Sequence, residues 1–549
     1  MFRIAQTASF CLVLIAAPLL SAQSKQATPT KANVAENTSG DWTTYDRDYL
    51  GDRYSPLNEI SADNVSRLQQ ICTYDSGVKT SFETGPVVVH GTLYFTTLDA
   101  TFAINPETCK LLWKHTEPLT QAQRAGLGVN RGVAVADGKV FRGYDDGKVI
   151  AIDANSGKTV WSTPIAKHSS GETIPAAPLA WNGTVFIGNA GGDNFGVTGR
   201  IYALDANTGK QKWQFDVVPD SGPATNTWTK KSVQNPPTGG ATWTSYHVDP
   251  ATGVLWVGTG NVAPDFVEAM HPGDSLYTSS ILAIDATSGK LLAYIQPVKH
   301  DFHDWDMATA PALVTTRDGH RLAIAAGKDG MVYGIENDVK PGSNEQQPKR
   351  LHSEYQTVAT TRENVDAHLT DAKFTRFCPG SQGGAEWNGP AYSPQQNLVY
   401  VPEIDWCTSV KLAPLSAMKG APGKPWNGSH DSSFGKQDPV EQWRGWVTAI
   451  DADTGKVAWK YQAPTPVAAA VTATAGGLVF TADMDGNIVA LDAGSGKKLW
   501  SHNTGQPVGG GIVSYEADRR QRIAVATGIS SPIWPKQGTS GRIVVYGLK

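Results

Sequence analysis

The sequence contains no CxxC or CxxCH spacing, no surplus of charge of either sign, and no apolar run after residue 20 long enough to cross a bilayer. The first absence argues against a zinc site and against a haem held covalently by this chain. The second, a formal net charge of -4 over 549 residues, gives no reason to expect nucleic acid or an anionic membrane surface as a partner. The third leaves a single hydrophobic segment, Phe10 to Leu20, which is short for a span. With Arg3 before it and Ser21-Ala22 after it, residues 1–24 read as a cleaved secretory signal, so no stable membrane insertion is expected. Residues 25–40 are polar and without periodicity and read as a flexible leader, which leaves 41–549 for the folded part.

Cysteine is scarce. Of five, Cys11 lies in the signal, and Cys72, Cys109, Cys378 and Cys407 remain. An even number in an oxidising compartment fits two disulfides, although four cysteines allow three pairings. The local pairing, Cys72–Cys109 with Cys378–Cys407, is the expectation.

Glycine and tryptophan are plentiful, 56 and 17 residues, and they recur in register. Ala103-Ile104-Asn105 leads through Cys109-Lys110 to Trp113, and Ala151-Ile152-Asp153 through Gly157-Lys158 to Trp161. The pattern returns at Ala203 to Trp213, Ala449 to Trp459 and Ala490 to Trp500. At Ala283 to Ala293 the Trp is missing, and Tyr333-Gly334-Ile335-Glu336 is a degenerate copy. Each copy reads as strand, tight turn, strand: Asp caps the turn with its carboxylate and Gly takes the positive φ. Gly-rich hairpins such as Trp181-Asn182-Gly183-Thr184 precede most copies. Close copies lie roughly 40–50 residues apart, the length of one four-stranded propeller blade. The wide gaps from 205 to 285 and from 336 to 451 leave room for insertions or for one more diverged blade. The count suggests seven or eight blades, each wedged to the next by its Trp, and most of the tryptophans read as such wedges. A β-sandwich array is the alternative, but a Trp at a fixed place in each repeat favours the propeller.

The Trp-ending repeat resembles that of the quinoprotein dehydrogenases, which carry pyrroloquinoline quinone (PQQ). Gly51-Asp52-Arg53-Tyr54-Ser55-Pro56-Leu57-Asn58 is similar to that family's opening segment. Asn130-Arg131-Gly132-Val133-Ala134, Gly188 to Gly199, Gly258-Thr259-Gly260-Asn261 and Trp305-Asp306 are similar to its internal blocks. The resemblance implies an all-β, eight-bladed propeller with PQQ and Ca²⁺ at its axis, oxidising alcohols.

PQQ is a flat tricarboxylate with an electrophilic quinone carbonyl. A site for it needs cations, a stacking ring, a polarising metal and a base for the alcohol proton. The resemblance assigns the base to Asp306. It assigns Ca²⁺ to Asp306 with Asn261 and Asp193, two carboxylates and an amide oxygen suited to a hard cation. Ala308, where lanthanide-using relatives carry an acid, points to Ca²⁺. Trp243, after Gly239-Gly240, is the stacking ring. Glu83 and Arg131 hold the cofactor's polar edge, Lys328 is the cation near the quinone oxygens, and Thr173, Gly191 and Gly192 complete the cofactor contacts.

Several positions depart from the family pattern. Ala125-Gly126 replace the adjacent cysteines over the ring, and Pro175 and Ala190 replace hydroxyl positions. Val467-Ala468-Ala469-Ala470 replace a late aromatic. Glu386 stands where an Asn is expected, with Asn388 two residues on. Glu386 could join the metal site, pair with Lys328 or act as a second base. The reading is a periplasmic PQQ- and Ca²⁺-dependent alcohol dehydrogenase that passes electrons to a separate cytochrome c or quinone. The alternatives are a non-catalytic propeller scaffold and a polyol or sugar dehydrogenase on the same cofactor.

Overall fold

The structure is a computed structural model that describes residues 1–2, 40–120, 127–229, 232, 234–342 and 347–549. Its large compact unit is Asn37–Lys549. The signal, nearly all of the leader, and Ala125-Gly126 lie outside the described residues. Among the described residues no helix is long and apolar enough to cross a membrane.

Eight four-stranded antiparallel sheets follow one another, two of them carrying an added parallel strand. Blade 1 runs Val87–Val89, Thr92–Thr96, Ala100–Ile104, Leu111–Thr116. Blades 2 to 7 repeat this meander from innermost strands Ala134–Ala136, Leu179–Trp181, His247–Asp249, Ala312–Thr315, Ala391–Ser393 and Thr472–Thr474. Middle strands are buried throughout, such as Thr184–Gly188, whereas outer strands such as Gln211–Asp216 alternate exposed with half-buried residues.

The repeat turns take the expected form. Asp153 Oδ1 accepts the backbone N–H of Ser156 at 2.8 Å, and Gly157 sits at φ 70°. The glycine is required twice over, because a Cβ there would lie 2.9 Å from the indole of Trp113 in the preceding blade. That indole donates from Nε1 to the carbonyl of Ala154 at 2.8 Å. Trp161, Trp213 and Trp459 make the same bond to Ala206, Ala286 and Ala493. Each Trp thus spans two blades, apolar against the turn and satisfied at its one polar atom. Where the repeat lacks its Trp, strand Leu291–Ile295 gains a parallel neighbour, Lys349–Arg350.

Two expectations need correction. The wide gaps hold no extra blade: they hold insertions, including a three-stranded sheet of Thr375–Phe377, Thr408–Val410 and Lys436–Gln437. Blade 8 is instead assembled from both parts of the chain. Ile512–Ala517, Arg520–Thr527 and Arg542–Leu548 supply its inner strands, and Leu68–Asp75 its outer one. Most tryptophans are not wedges either. Only Trp113, Trp161, Trp213, Trp459 and Trp500 stand at the repeat's Trp position, while Trp387, Trp406, Trp443 and Trp534 form a buried cluster against which Trp243 packs.

Blade 8 has no Trp in its outer strand. After the strand's bulge, at the place where Trp161 stands in blade 2, it carries Cys72. Cys72 is bonded to Cys109, which replaces the repeat glycine in blade 1 and holds a positive φ of 55°. A covalent bond therefore makes the last inter-blade contact, and a shared core of Val88, Phe95 and Phe102 with Val513, Tyr515 and Val545 closes the ring. The second disulfide, Cys378–Cys407, pins the insertion, so both bonds follow the local pairing.

Residues 42–55 run across the innermost strands. Trp42 pairs with Val88 of blade 1, Tyr49 and Leu50 accept from Val248 and Leu313 of blades 4 and 5, and Tyr54 pairs with Ala473 of blade 7. Buried Arg53 and Asp46 form an ion pair at 2.5 Å, and His247 and Ser245 hold the same carboxylate. Replacing Cys72 and Cys109 by serine should lower stability by about 2–5 kcal/mol. Chemical denaturation of parent and double variant without reductant, both keeping Cys378–Cys407, reads this.

Candidate functional site

In a four-stranded meander the connection from strand 2 to strand 3 and the exit from strand 4 lie at the same end of the sheet. All the candidate residues sit on those two kinds of connection. Asp193, Asn261 and Lys328 follow the second strands of blades 3, 4 and 5, which end at Gly188, Gly258 and Ala326. Glu83, Arg131, Trp243, Asp306 and Glu386 precede the first strands of blades 1, 2, 4, 5 and 6. Ring closure therefore gathers them at one end of the axis.

Backbone contacts then lock the segments together. Gly260 N–H donates to Ala241 O at 2.7 Å and Gly240 N–H to Asn261 O at 2.8 Å, which fastens the Trp243 segment to the Asn261 loop. Thr242 N–H donates to Asn189 O, and Gly192 lies against Ala241, which brings in the Asp193 turn. Asp306 Oδ1 accepts the Asn261 backbone N–H at 2.6 Å. Lys328 N–H donates to Asp306 O at 3.1 Å, and Ala385 N–H to Gly327 O at 3.1 Å, which sets Glu386 beside Lys328.

The electrostatics of this hub are lopsided. The Lys328 ammonium lies 3.1 Å from Asp304 Oδ1 and 3.5 Å from Asp306 Oδ2. Burial works against its charge, yet Asp304, Asp306 and Glu386 hold its pKa well above the ordinary lysine value. Burial, joined by neighbouring carboxylates, pushes Asp265 and Asp304 well above the usual carboxylate range. Burial raises Glu386 to about 7 against the pull of Lys328. The carboxyl of Asp193 is raised to about 6 by desolvation among the packed loops and by the charge of Asp306, although the residue keeps solvent exposure. One ammonium faces five acids, which is an environment that a hard cation would neutralise.

The donor set fits such a cation. Asn261 spends its amide N–H on Val262 O at 3.1 Å, so the oxygen is what it has to offer. Among the described residues no three His, Cys, Asp or Glu side chains form a ready ligand group, so Asp193 and Asp306 need that amide. Asp265 Oδ1 is buried near them without a partner among the described residues.

The remaining features fit a flat, acidic ring. Trp243 is half-buried, and the Arg131 guanidinium lies 4.5 Å from its centroid and 5.4 Å from that of Trp387. Arg131 gives Nη2 to Glu83 at 2.6 Å and Nη1 to Trp243 O at 3.1 Å, while its Nε is buried without a partner among the described residues. A ligand carboxylate can take that orphan donor. Burial raises the pKa of Glu83, and Arg131 opposes it.

The structure does not draw in every candidate equally. Thr173 pairs through its backbone with Ala190, beside the Gly191-Gly192 turn, and no side-chain bond ties it to the hub. Gly191, at φ 98°, has no space for a Cβ, which would meet Gly171 O at 2.1 Å. Pro175 serves by its carbonyl, which accepts Arg131 N–H at 2.9 Å. Asn388 is fully spent elsewhere: its oxygen accepts from Tyr45 and Arg53, and its amide donates to Ala468 and Gly509. Asp265 and Asp304 were missed from sequence. The signal available for Asp304 was its place two residues before Asp306; a lone loop Asp such as Asp265 offers none.

Two further groups shape the wall. Asp301, raised by burial to about 7, accepts the N–H of His303 at 3.1 Å and of Trp305 at 3.0 Å. His271 Nε2 donates to Pro264 O at 2.9 Å and so holds the loop of Asn261 and Asp265. Burial lowers the His271 pKa to about 4 from 6.5. A histidine depressed in the fold favours the neutral form, so its contribution is present above 6.5 and lost as pH falls toward 4. His271→Gln removes that loss. The stability gap between parent and variant should shrink by up to about 3 kcal/mol across this window, as read by denaturation at a series of pH values.

Comparison with known proteins gives the family of the chain. Residues 42–338 match the family model described as glucose/ethanol/alcohol dehydrogenase, beta-propeller domain. Residues 426–541 match a model described as outer membrane protein assembly factor BamB. A lanthanide-dependent methanol dehydrogenase of Methylacidiphilum fumariolicum is 31% identical over 485 residues, 82% of this chain and 78% of the relative. A quinohemoprotein alcohol dehydrogenase, ADH-IIG of Pseudomonas putida, is 30% identical over 83% of this chain and 67% of its own length. The solved structure of a europium-containing methanol dehydrogenase superposes with a TM-score of 0.78 at 27% identity, covering 93% of this chain and 99% of the other. The chain belongs to the PQQ-dependent alcohol dehydrogenases, the quinoprotein family of β-propeller enzymes.

Proposed function

We propose that this protein oxidises an alcohol to an aldehyde or ketone in the periplasm, using PQQ and a bound cation, and passes the electrons to a separate carrier. The observation that carries the reading is the convergence of Asp306, Asn261 and Lys328 beside Trp243 and the unpaired Nε of Arg131. When bound, PQQ supplies a quinone carbonyl that accepts hydride, and the cation polarises it.

The chain's own residues do the rest. Asp306 takes the proton of the alcohol hydroxyl. Its Oδ1 is held by the Asn261 N–H, so the carboxylate is fixed before substrate arrives. Lys328 stabilises negative charge on that side of the cavity. Trp243 offers a flat wall, and Arg131 with Glu83 fixes the acidic edge of the ring.

Calcium is the first reading for the cation, because Ala308 adds no ligand. A trivalent ion is the second reading, because Asp265 and Asp304 add negative charge to the field of Asp193 and Asp306 without completing a carboxyl ligand group among the described residues. A non-catalytic scaffold would have no use for such a cluster of acids, which is costly to bury.

Reconstitution separates these readings. Purified protein loaded with PQQ and either Ca²⁺ or La³⁺ should show bound-quinone absorbance and reduce a dye when given alcohols, polyols and sugars in turn. Asp306→Asn should keep the bound quinone and lose turnover by at least about 100-fold. No bound quinone with either ion would overturn the proposal.

A further inference from the structure

The insertion between the second and third strands of blade 6 does not stay with its own blade. Between its strands Thr408–Val410 and Lys436–Gln437 it sends out a strap, residues 411–435, that bonds to loops of blades 3 and 4. Trp426 N–H donates to Asp193 O at 2.8 Å. Two residues on, Phe195 N–H donates to Lys424 O at 2.9 Å, and Gly423 N–H donates to Phe195 O at 3.1 Å. The Trp426 indole meets the Phe195 ring edge to face, with centroids 4.7 Å apart, and both rings are buried with Ala263. Gly420 runs so close to Phe195 that a Cβ there would lie 1.7 Å from the ring. Asn427 O then accepts Phe266 N–H at 3.0 Å, beside Asp265. Pro422 and Pro425, each with a fixed φ, stiffen the strap where it makes these bonds.

This clamp falls on the candidate ligand that has least support of its own. Asp306 Oδ1 is held by the Asn261 N–H, and the Asn261 amide is oriented by Val262 O. The Asp193 carboxyl feels desolvation and the charges of Asp306 and Lys328, but no hydrogen bond among the described residues holds it. A carboxylate without such a bond is aimed by its backbone alone. Asn194 fixes one side of that turn, donating from Nδ2 to Gly171 O at 2.9 Å, and the strap fixes the other.

We propose that Trp426 is a positioning residue for the cation: its ring and N–H hold the strap on the turn, the strap aims Asp193, and the insertion thereby sets how tightly the hub keeps its metal. The inference rests on the cation reading of the hub. Groups that orient a ligand from behind tune metal affinity by about 10–100-fold.

The test reads retained metal rather than turnover. The full chain, loaded with PQQ and Ca²⁺, is equilibrated against graded EGTA, and bound calcium is measured by atomic emission. Trp426→Ala should raise the free calcium needed for half-retention by at least about 10-fold. Trp426→Phe, which keeps a ring against Phe195, should restore most of that loss. Gly420→Ala pushes the strap off Phe195 from the other side and should shift retention in the same direction, so the proposal does not hang on one variant folding. Equal calcium retention by the parent and either folded strap variant, Trp426→Ala or Gly420→Ala, would overturn the inference, as would a Trp426→Phe loss as large as that of Trp426→Ala. A parent that keeps no calcium overturns the cation reading itself, and this inference with it.

Discussion

One ammonium, that of Lys328, is shared by five carboxyl groups: Asp193, Asp265, Asp304, Asp306 and Glu386. Protein interiors do not tolerate unpaired charge, so such a cluster persists either by holding protons or by binding a cation. The raised pKa values of Asp265 and Glu386 are the protonated solution. A cation between Asp193, Asn261 and Asp306 is the other, and it would free the carboxylates to ionise. The hub is thus built with an electrostatic deficit that a metal removes, and that deficit links the fold to the chemistry.

The ring exists to hold this deficit in place. Eight segments far apart in sequence reach one point because a four-stranded meander delivers two connections per blade to the same end. Trp wedges fix the blades' spacing, and those of Trp113, Trp161, Trp213 and Trp459 have their indole N–H satisfied by the next blade's turn. Arg53, Asp46, Tyr45 and Asn388 form a buried network between the opening segment and blade 6. This network explains why Asn388 is not free for a ligand, and why Glu386, two residues earlier, is the side chain that reaches the hub.

Much of this was legible in the sequence, for definite reasons. The Asp, Gly and Trp of each repeat perform one mechanical job, a capped turn beneath an indole, so they recur and can be counted. Blade 8 escaped because its strands are more than 400 residues apart in the chain, and because a disulfide replaces its Trp. The Cys72–Cys109 bond looked like a local staple and is in fact the closing contact of the ring. At the site, Trp243, Asn261 and Asp306 were found through resemblance in short ordered blocks. Asp265 and Asp304 were not, since a lone Asp in a loop has no periodicity to expose it. The second tryptophan cluster was hidden for the opposite reason, as the repeat had already claimed tryptophan as its own.

The most direct measurement is a crystal structure of the protein grown with PQQ and calcium. The account predicts a single cation bonded to Asp193, Asn261 and Asp306, with a flat ring against Trp243 and a ring carboxylate on Arg131. An empty hub, with the acids satisfied by Lys328 alone, or a cation bound away from these three residues, would contradict it.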